Sequence, residues 1–135
     1  MSSVRVPDRG ESDQEFIQTA KNLVICSIRK CIAFPKRYTF FVGIHIAAAA
    51  VQVYRGVKKG NSIYPTNQHE AQIRRDHMAD ALAELMNLVG LVEICEDLFG
   101  INKNSMAEWM ELTDREERLI KGVMKADRTK YKTLP

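Results

Sequence analysis

Long apolar runs and a secretion signal are missing from this chain of 135 residues. A membrane-spanning helix needs about 20 consecutive apolar residues, and the longest candidate, Phe40 to Tyr54, is interrupted by His45 and Gln52. Residues 1–15 lack the basic-then-apolar order of a signal peptide. The sequence therefore predicts a cytoplasmic protein with no membrane partner.

Cysteine is scarce, and its three occurrences, Cys26, Cys31 and Cys95, include no C-x-x-C spacing. Each lies in an apolar stretch with helical periodicity, which favours buried free thiols over a redox or metal role. Cys26 and Cys31 are five residues apart, a spacing too far rotated around a helix for an easy disulfide bond.

Motifs for catalysis and metal binding are also absent. The chain has no phosphate-binding glycine loop and no G-x-S-x-G. His45, His69 and His77 have no i, i+4 spacing, and no Glu-x-x-His motif of a di-metal bundle occurs. A small hydrolase or metal protein is therefore the weakest function class, and we expect no enzyme activity, no cofactor and no metal site.

Four segments have apolar residues at helical spacing, and none alternates as a half-buried strand does. The helices are predicted at 12–34, 39–58, 68–99 and 105–126, after a flexible leader at 1–11 and before a basic tail at 127–135. Ser12 and Ser105, each followed by Glu three residues later, fit capping boxes. Short links between long helices predict an all-α, antiparallel up-down-up-down four-helix bundle over residues 12–126.

Two apolar surfaces carry further expectations. The second helix is expected to bury the stripe Phe40, Ile44, Ala47, Ala48, Val51 and Tyr54. The second half of the third helix is apolar on more than one side and so needs more than one neighbour. We therefore expect an oligomer interface at Leu88, Leu91, Ile94 and Leu98.

The formal net charge is only +3, but the charges are unevenly distributed. No acidic residue lies between Glu15 and Glu70, whereas the third helix is mainly acidic. Two basic patches are expected, with the start of the fourth helix at the end of the bundle opposite the first patch. The patches consist of Arg29, Lys30, Lys36 and Arg37, and of Arg55, Lys58 and Lys59. Phosphate binding and an ordinary solvated surface are both open interpretations on charge alone.

Four short segments carry a family resemblance. They are Phe34-Pro35-Lys36-Arg37-Tyr38, Phe41-Val42-Gly43-Ile44, Leu98-Phe99-Gly100-Ile101 and Leu119-Ile120-Lys121-Gly122-Val123. Over about residues 14–128 the chain resembles a family of four-helix bundles that has two branches. One is the accessory variability determinant (Avd) of diversity-generating retroelements, and the other is the proteins encoded in ribosomal-RNA intervening sequences.

The resemblance implies a homopentameric barrel of bundles, bacterial or phage-encoded, that performs no chemistry itself. In the Avd branch it implies binding to a reverse transcriptase and its template RNA or cDNA. The basic residues in matching segments are Arg29, Lys30, Lys36, Arg37, Lys121, Lys125 and Arg128. The alternative is a structural or protein-interaction bundle of the intervening-sequence type, without a retroelement role.

Overall fold

A computed structural model describes residues 5–135, with side chains described from residue 15 onward. Within this range the chain forms four long helices and no strand, which confirms the prediction of an all-α helical bundle. The helices are α1 (Arg5–Ile32), α2 (Lys36–Asn61), α3 (Gln68–Phe99) and α4 (Lys103–Lys130). The bounds of α3 are those predicted from the sequence.

Helix α1 begins at Arg5, which corrects the predicted start at Ser12. Pro7 is tolerated because the N–H groups of the first helical turn have no partner within the helix. Residues 1–4 lie outside the described range, so flexibility of the leader stays a prediction.

Helix α2 contains one turn of π-helix, Thr39–Gly43, between Lys36–Tyr38 and the regular segment Ile44–Asn61. The regular segment buries a different stripe from the predicted one, namely Ile46, Ala49, Ala50, Val53, Val57 and Gly60. The predicted stripe was wrong, because Phe40, Ile44 and Ala48 are exposed. Apolar residues surround this helix, so their spacing alone does not select the buried side.

Small residues explain which side of α2 is buried. A Cβ atom added to Gly56 would lie 2.8 Å from the Cβ atom of Ala81, and one added to Gly60 would lie 2.7 Å from Cε of Met78. Helix α3 therefore approaches the backbone of α2 directly. Gly60 comes later in α2 than Gly56, whereas its contact Met78 comes earlier in α3 than Ala81. This pair of helices is therefore antiparallel.

Trp109 on α4 is the largest fully buried side chain among the described residues. Its indole Nε1–H donates a hydrogen bond of 2.9 Å to the hydroxyl of the buried Ser27 on α1. The thiols of Cys26, Cys31 and Cys95 are free and buried, as predicted. Burial raises the pKa of all three, that of Cys31 to about 12.

The links α1–α2 and α3–α4 meet at one end of the bundle, which we call the top. The Phe99 ring lies 4.9 Å from that of Phe34 and 4.8 Å from that of Tyr38. Lys30 Nζ lies 2.9 Å from Glu108 Oε1 near the start of α4. The start of α4 therefore lies beside the end of α1, which corrects its expected place at the opposite end.

A buried arginine organises the other end, the bottom. The Arg74 guanidinium donates hydrogen bonds to Asp127 at 2.7 Å and to the carbonyl oxygens of Gly60 and Ile63 at 3.0 and 3.2 Å. One side chain of α3 thus contacts α4, the last turn of α2 and the α2–α3 link. Sequence analysis did not single out Arg74, although it lies in the helical register of Ala71 and Met78, both buried.

The last nine residues differ from the predicted tail. Residues 127–130 belong to α4, and the following segment turns back to the start of α3. There the Gln68 side-chain amide donates hydrogen bonds to the carbonyl oxygens of Tyr131 and Leu134, at 2.8 and 3.1 Å. Gln68 N–H donates a third bond to Pro135 O at 2.9 Å.

Both helices after the α2–α3 and α3–α4 links begin with an asparagine cap. The Asn67 side chain accepts a hydrogen bond from Glu70 N–H, and that of Asn102 accepts from the N–H groups of Asn104 and Ser105. Asn102 therefore replaces Ser105 as the cap of α4, because its side chain reaches two otherwise unpaired donors.

Candidate nucleic-acid interface

A groove of about 480 Å³ opens at the top of the bundle, between the end of α1 and the α3–α4 link. Its basic side is formed by Arg29 and Lys30, and its apolar side includes Phe34 and Phe99. We call it the top groove. Pro35 ends α1 beside it and so places the first turn of α2 at its edge.

Four of the predicted nucleic-acid-binding residues lie at this end of the bundle, and two of them, Arg29 and Lys30, line the groove. Arg29 and Lys30 lie in the last turn of α1, and Lys36 and Arg37 lie in the first turn of α2. Arg29, Lys36 and Arg37 are exposed. Three exposed cations at one end of the bundle create a positive potential that attracts phosphate.

Lys30 differs from the other three. It is half-buried and paired with Glu108, and this ion pair lowers the pKa of the Glu108 carboxyl. Its charge is therefore partly neutralised within the chain. We expect Lys30 to hold α1 against α4 at the groove rather than to contact a ligand.

Aromatic rings form a stacked group at the edge of the top groove. The rings of Tyr38 and Phe99 lie at an angle of 27°. The Arg37 guanidinium carbon lies 5.6 Å from the centre of the Tyr38 ring, within the range of a cation–π contact. Tyr38 is half-buried, so its ring supports Arg37 rather than offering a free face for base stacking.

The other six predicted nucleic-acid-binding residues do not join this group. Arg55, Lys58 and Lys59 lie near the end of α2, about 33 Å below Lys36 at 1.5 Å per residue. Lys121, Lys125 and Arg128 lie towards the end of α4, where Lys121 is paired with Glu117 at 2.7 Å. Lysines in the last turn of a helix also interact favourably with its dipole, which accounts for Lys58 and Lys59 without a ligand.

The predicted oligomer interface divides into core and surface residues. Leu88 is fully buried inside the bundle, so its assignment to an interface was wrong. Leu91 is half-buried against the core, whereas Ile94 and Leu98 are 48% and 50% exposed. Of these four residues, Ile94 and Leu98 are the two that offer substantial apolar area to another molecule.

Sequence analysis missed further exposed apolar side chains on α1 and α2. They are Ile25, Ile28, Ile32, Phe40 and Ile44, all at least 39% exposed. Phe41, 70% exposed, lies beside them. The signal was present in the sequence, because α2 has apolar residues on more sides than one neighbour can cover.

By length and composition α2 is apolar enough to cross a membrane. An 18-residue window within it has a mean hydropathy of 1.4, and a third of that window is buried. Core helices of soluble proteins also meet this criterion, and the fold is compatible with a soluble protein. The helix has more apolar surface than the bundle covers.

An unpartnered carboxyl lies inside the bundle. Glu116 on α4 is fully buried, and neither of its side-chain oxygens has a hydrogen-bond partner. Burial raises the pKa of this carboxyl to about 8, so it is mainly protonated at neutral pH. No group of three His, Cys, Asp or Glu side chains within the described part of the chain is arranged to hold a metal ion.

No protein-family model, no curated protein and no solved structure matches this chain. The functional assignment therefore depends on the residues themselves and on the resemblance described above.

Proposed function

We propose that this protein is a non-catalytic, oligomeric accessory protein that binds nucleic acid through the top groove. The observation that carries the proposal is the meeting of Arg29, Lys36 and Arg37 at one end of the bundle. These cations come from a segment with no acidic residue between Glu15 and Glu70. Contacts to phosphate require only accessible positive charge, and they depend strongly on salt.

The resemblance to the Avd family specifies the rest of the proposal. The four helices form an up-down-up-down bundle, and bundles assemble into a homopentameric ring that repeats the top groove. The ring binds the reverse transcriptase of a diversity-generating retroelement and its template RNA or cDNA. It positions these partners in the bacterial cytoplasm, and the chemistry belongs to the reverse transcriptase.

Two variants with equal loss of charge test the nucleic-acid part. The first replaces Arg29, Lys36 and Arg37 with Gln, and the control replaces Lys125, Arg128 and Lys130 with Gln. Binding of a fluorescent structured RNA is followed by anisotropy from 50 to 200 mM salt. We expect the first variant to bind at least about tenfold more weakly, with a salt slope smaller by about two to three.

The control variant should retain nearly all of the affinity, because its cations lie at the bottom of the bundle. Equal losses in both variants would show that net charge, not the top groove, controls binding. Binding that is independent of salt would contradict phosphate recognition altogether.

A protein-interaction bundle without nucleic-acid binding is the second candidate. The observation in its favour is the pair Phe40 and Phe41, which are 71% and 70% exposed, since exposed aromatic side chains are typical of protein interfaces. Co-purification with a reverse transcriptase encoded nearby, without measurable affinity for RNA, would favour this candidate.

A further inference from the structure

The turn between α1 and α2 exposes a cluster of large apolar side chains, which we call the apolar tip. Ile32 is the last residue of α1, and Phe40, Phe41 and Ile44 lie in the first three turns of α2. The exposed fractions of these four residues are 77%, 71%, 70% and 48%. Single exposed apolar residues are common in soluble proteins, whereas a cluster of them indicates a contact with another molecule.

The π-helical turn Thr39–Gly43 holds the two aromatic members of this cluster outside the bundle. Gly43 is the buried residue of the turn, and a Cβ atom added to it would lie 3.8 Å from the Cβ atom of Cys31. The turn therefore packs against the end of α1 through its smallest residue, and the larger Phe40 and Phe41 stay exposed. Their ring centres lie 5.6 Å apart in an edge-to-face arrangement. The two rings thus form one apolar surface.

The charged residues that flank the apolar tip along the chain are all basic. Arg29 precedes it on α1, Lys36 and Arg37 precede its aromatic members on α2, and all three cations are exposed. No acidic residue lies between Glu15 and Glu70. This segment therefore offers apolar surface beside charge of one sign.

The neighbouring helix ends add little negative charge. In the last turn of α3 and the first two turns of α4, the exposed acidic residues are Asp97 and Glu108, and the exposed Lys103 opposes them. Glu108 is already paired with Lys30. The top of the bundle therefore keeps an excess of positive charge around the apolar tip, and this excess favours an anionic partner.

We propose that the apolar tip inserts into the surface of a membrane that contains anionic lipids. Ile32, Phe40 and Phe41 then lie at the boundary between head groups and acyl chains, where the apolar sides of peripheral proteins bind. Lys36 and Arg37 keep their charges at the level of the lipid phosphates, because their long apolar stems can lie along the acyl boundary. A membrane partner goes beyond the proposed function, which concerns protein and nucleic acid alone.

A surface contact does not need a membrane-spanning helix. The sequence predicted no membrane partner, because His45 and Gln52 interrupt the apolar run at 40–54. Both residues lie beyond the π-helical turn, so they do not interrupt the apolar tip. An interfacial contact needs a few large apolar side chains beside cations, and the α1–α2 turn supplies both.

A bilayer fits this surface better than a protein partner does. The apolar tip lies at the turn that ends the bundle, so a flat surface reaches it without a matching cavity. A bilayer offers acyl chains beneath a layer of phosphates, and this order matches Phe40 and Phe41 beside Lys36 and Arg37. A protein partner offers charges of both signs, whereas a bilayer with anionic lipids offers one.

Vesicle flotation tests the contact directly. The native chain is mixed with vesicles of phosphatidylcholine, with or without one third phosphatidylglycerol, and floated through a density gradient. We expect at least about tenfold stronger binding to the vesicles with phosphatidylglycerol, since each basic residue near an anionic surface strengthens binding roughly fivefold. Rising salt should weaken this binding, because it screens the attraction.

Two double variants separate the apolar tip from exposed apolar surface in general. Phe40→Ser with Phe41→Ser should bind the anionic vesicles at least about tenfold more weakly, because two rings are lost from the contact. Tyr64→Ser with Met86→Ser, at 67% and 44% exposure, is the matched control and should bind as the native chain does. All four positions are exposed, so both variants should unfold at nearly the native temperature.

The depth of the contact distinguishes insertion from attraction by charge alone. The Trp side chain of Phe41→Trp should be quenched by bromine atoms on the acyl chains, and its emission should shift to shorter wavelength. Trp109 is fully buried, so it contributes a constant background. Flotation of this variant without quenching would overturn insertion.

Three further results would overturn the proposal. The first is a native chain that does not float with the anionic vesicles, and the second is an equal loss of binding in the two double variants. The third is a native oligomer that dissociates in the variant with Phe40→Ser and Phe41→Ser. That result would assign the apolar tip to a contact between copies of the chain.

RNA binding keeps the membrane contact separate from the proposed function. The variant with Phe40→Ser and Phe41→Ser retains Arg29, Lys36 and Arg37, so it should lose vesicle binding and keep its affinity for RNA. Vesicle binding by a native chain without any RNA affinity would remove the nucleic-acid proposal and leave the membrane contact in place.

Discussion

At the scale of single residues, Glu116 makes the stability of the fold depend on pH. A carboxyl group buried without a hydrogen-bond partner is tolerated only in its neutral form. Its pKa is about 8 in the folded protein, against an ordinary value of 4.5. Between these pH values the folded chain holds a proton that the unfolded chain has released. The free energy of unfolding therefore falls as pH rises from about 4.5 to 8.

Replacement of Glu116 by Gln should remove this pH dependence. We expect the variant to be more stable than the native chain at pH 9, by on the order of 3 kcal/mol, because no charge has to form inside the core. Urea unfolding followed by circular dichroism at pH 5, 7 and 9 measures the difference. The exposed Glu111→Gln on the same helix is the control. A native chain whose stability is constant from pH 5 to 9 would contradict a buried neutral carboxyl.

Apolar spacing in the sequence points to the apolar members of the core but not to its polar members. Trp109 and Ile120 are buried on one side of α4. Glu116 lies on the same side of α4, but a charged residue is not expected to be buried there. Arg74 was missed for the same reason, because pattern analysis assigns charged residues to the surface by default.

At the scale of elements, the α2–α3 contact depends on one glycine. A methyl group at Gly56 would lie 2.8 Å from the Cβ atom of Ala81 and 3.2 Å from the carbonyl oxygen of His77. Neither atom belongs to a flexible side chain, so the two helices would have to separate. The distance between the helices, and not helix propensity, therefore determines what this position accepts.

We expect Gly56→Ala to destabilise the protein by up to about 2 kcal/mol. The clash costs about 1–3 kcal/mol, and the better helix propensity of alanine offsets roughly 1 kcal/mol of this cost. Gly122→Ala on α4 is the matched control, since nothing lies within 4 Å of the added Cβ atom. That control should stabilise the protein by about 0.5–1 kcal/mol. Thermal melts measure both changes. Melting temperatures that shift in the same direction in the two variants would contradict the close contact at Gly56.

The elements themselves were easier to predict than the sides they bury. Asn67 is a strong start signal and Gly100 a strong stop signal for a helix, and both bounds of α3 agree with the sequence-based prediction. The buried side of α2 does not, because apolar spacing occurs on both sides of that helix. The glycines of α2 determine its buried side, because they let the backbone of α3 come close. This contact can be seen only when α3 is in place.

At the scale of the whole molecule, Arg74 joins three helices at the bottom of the bundle through Asp127 on α4 and the carbonyl oxygen of Gly60 on α2. The side chains of Arg74 and Asp127 are largely buried, at 9% and 13% exposure, so removal of one leaves an uncompensated charge. We expect Asp127→Ala to cost about 3 kcal/mol. Glu117→Ala, which breaks the more exposed pair with Lys121, should cost under about 1 kcal/mol.

Guanidinium-chloride unfolding of both variants tests this difference. The slope of the unfolding curve should not change if the molecule still unfolds in one step. Similar losses in the two variants would show that the Arg74 pair contributes no more than an ordinary surface ion pair.

The burial of the three thiols has a chemical consequence for the life of the molecule. A thiol reacts with oxidants and alkylating agents as a thiolate, and burial keeps Cys26, Cys31 and Cys95 protonated. Cys26 borders a surface groove between α1 and α4, whereas Cys31 and Cys95 are buried away from that groove. Any adduct found on Cys31 or Cys95 is therefore a lasting record that the bundle once opened at that place.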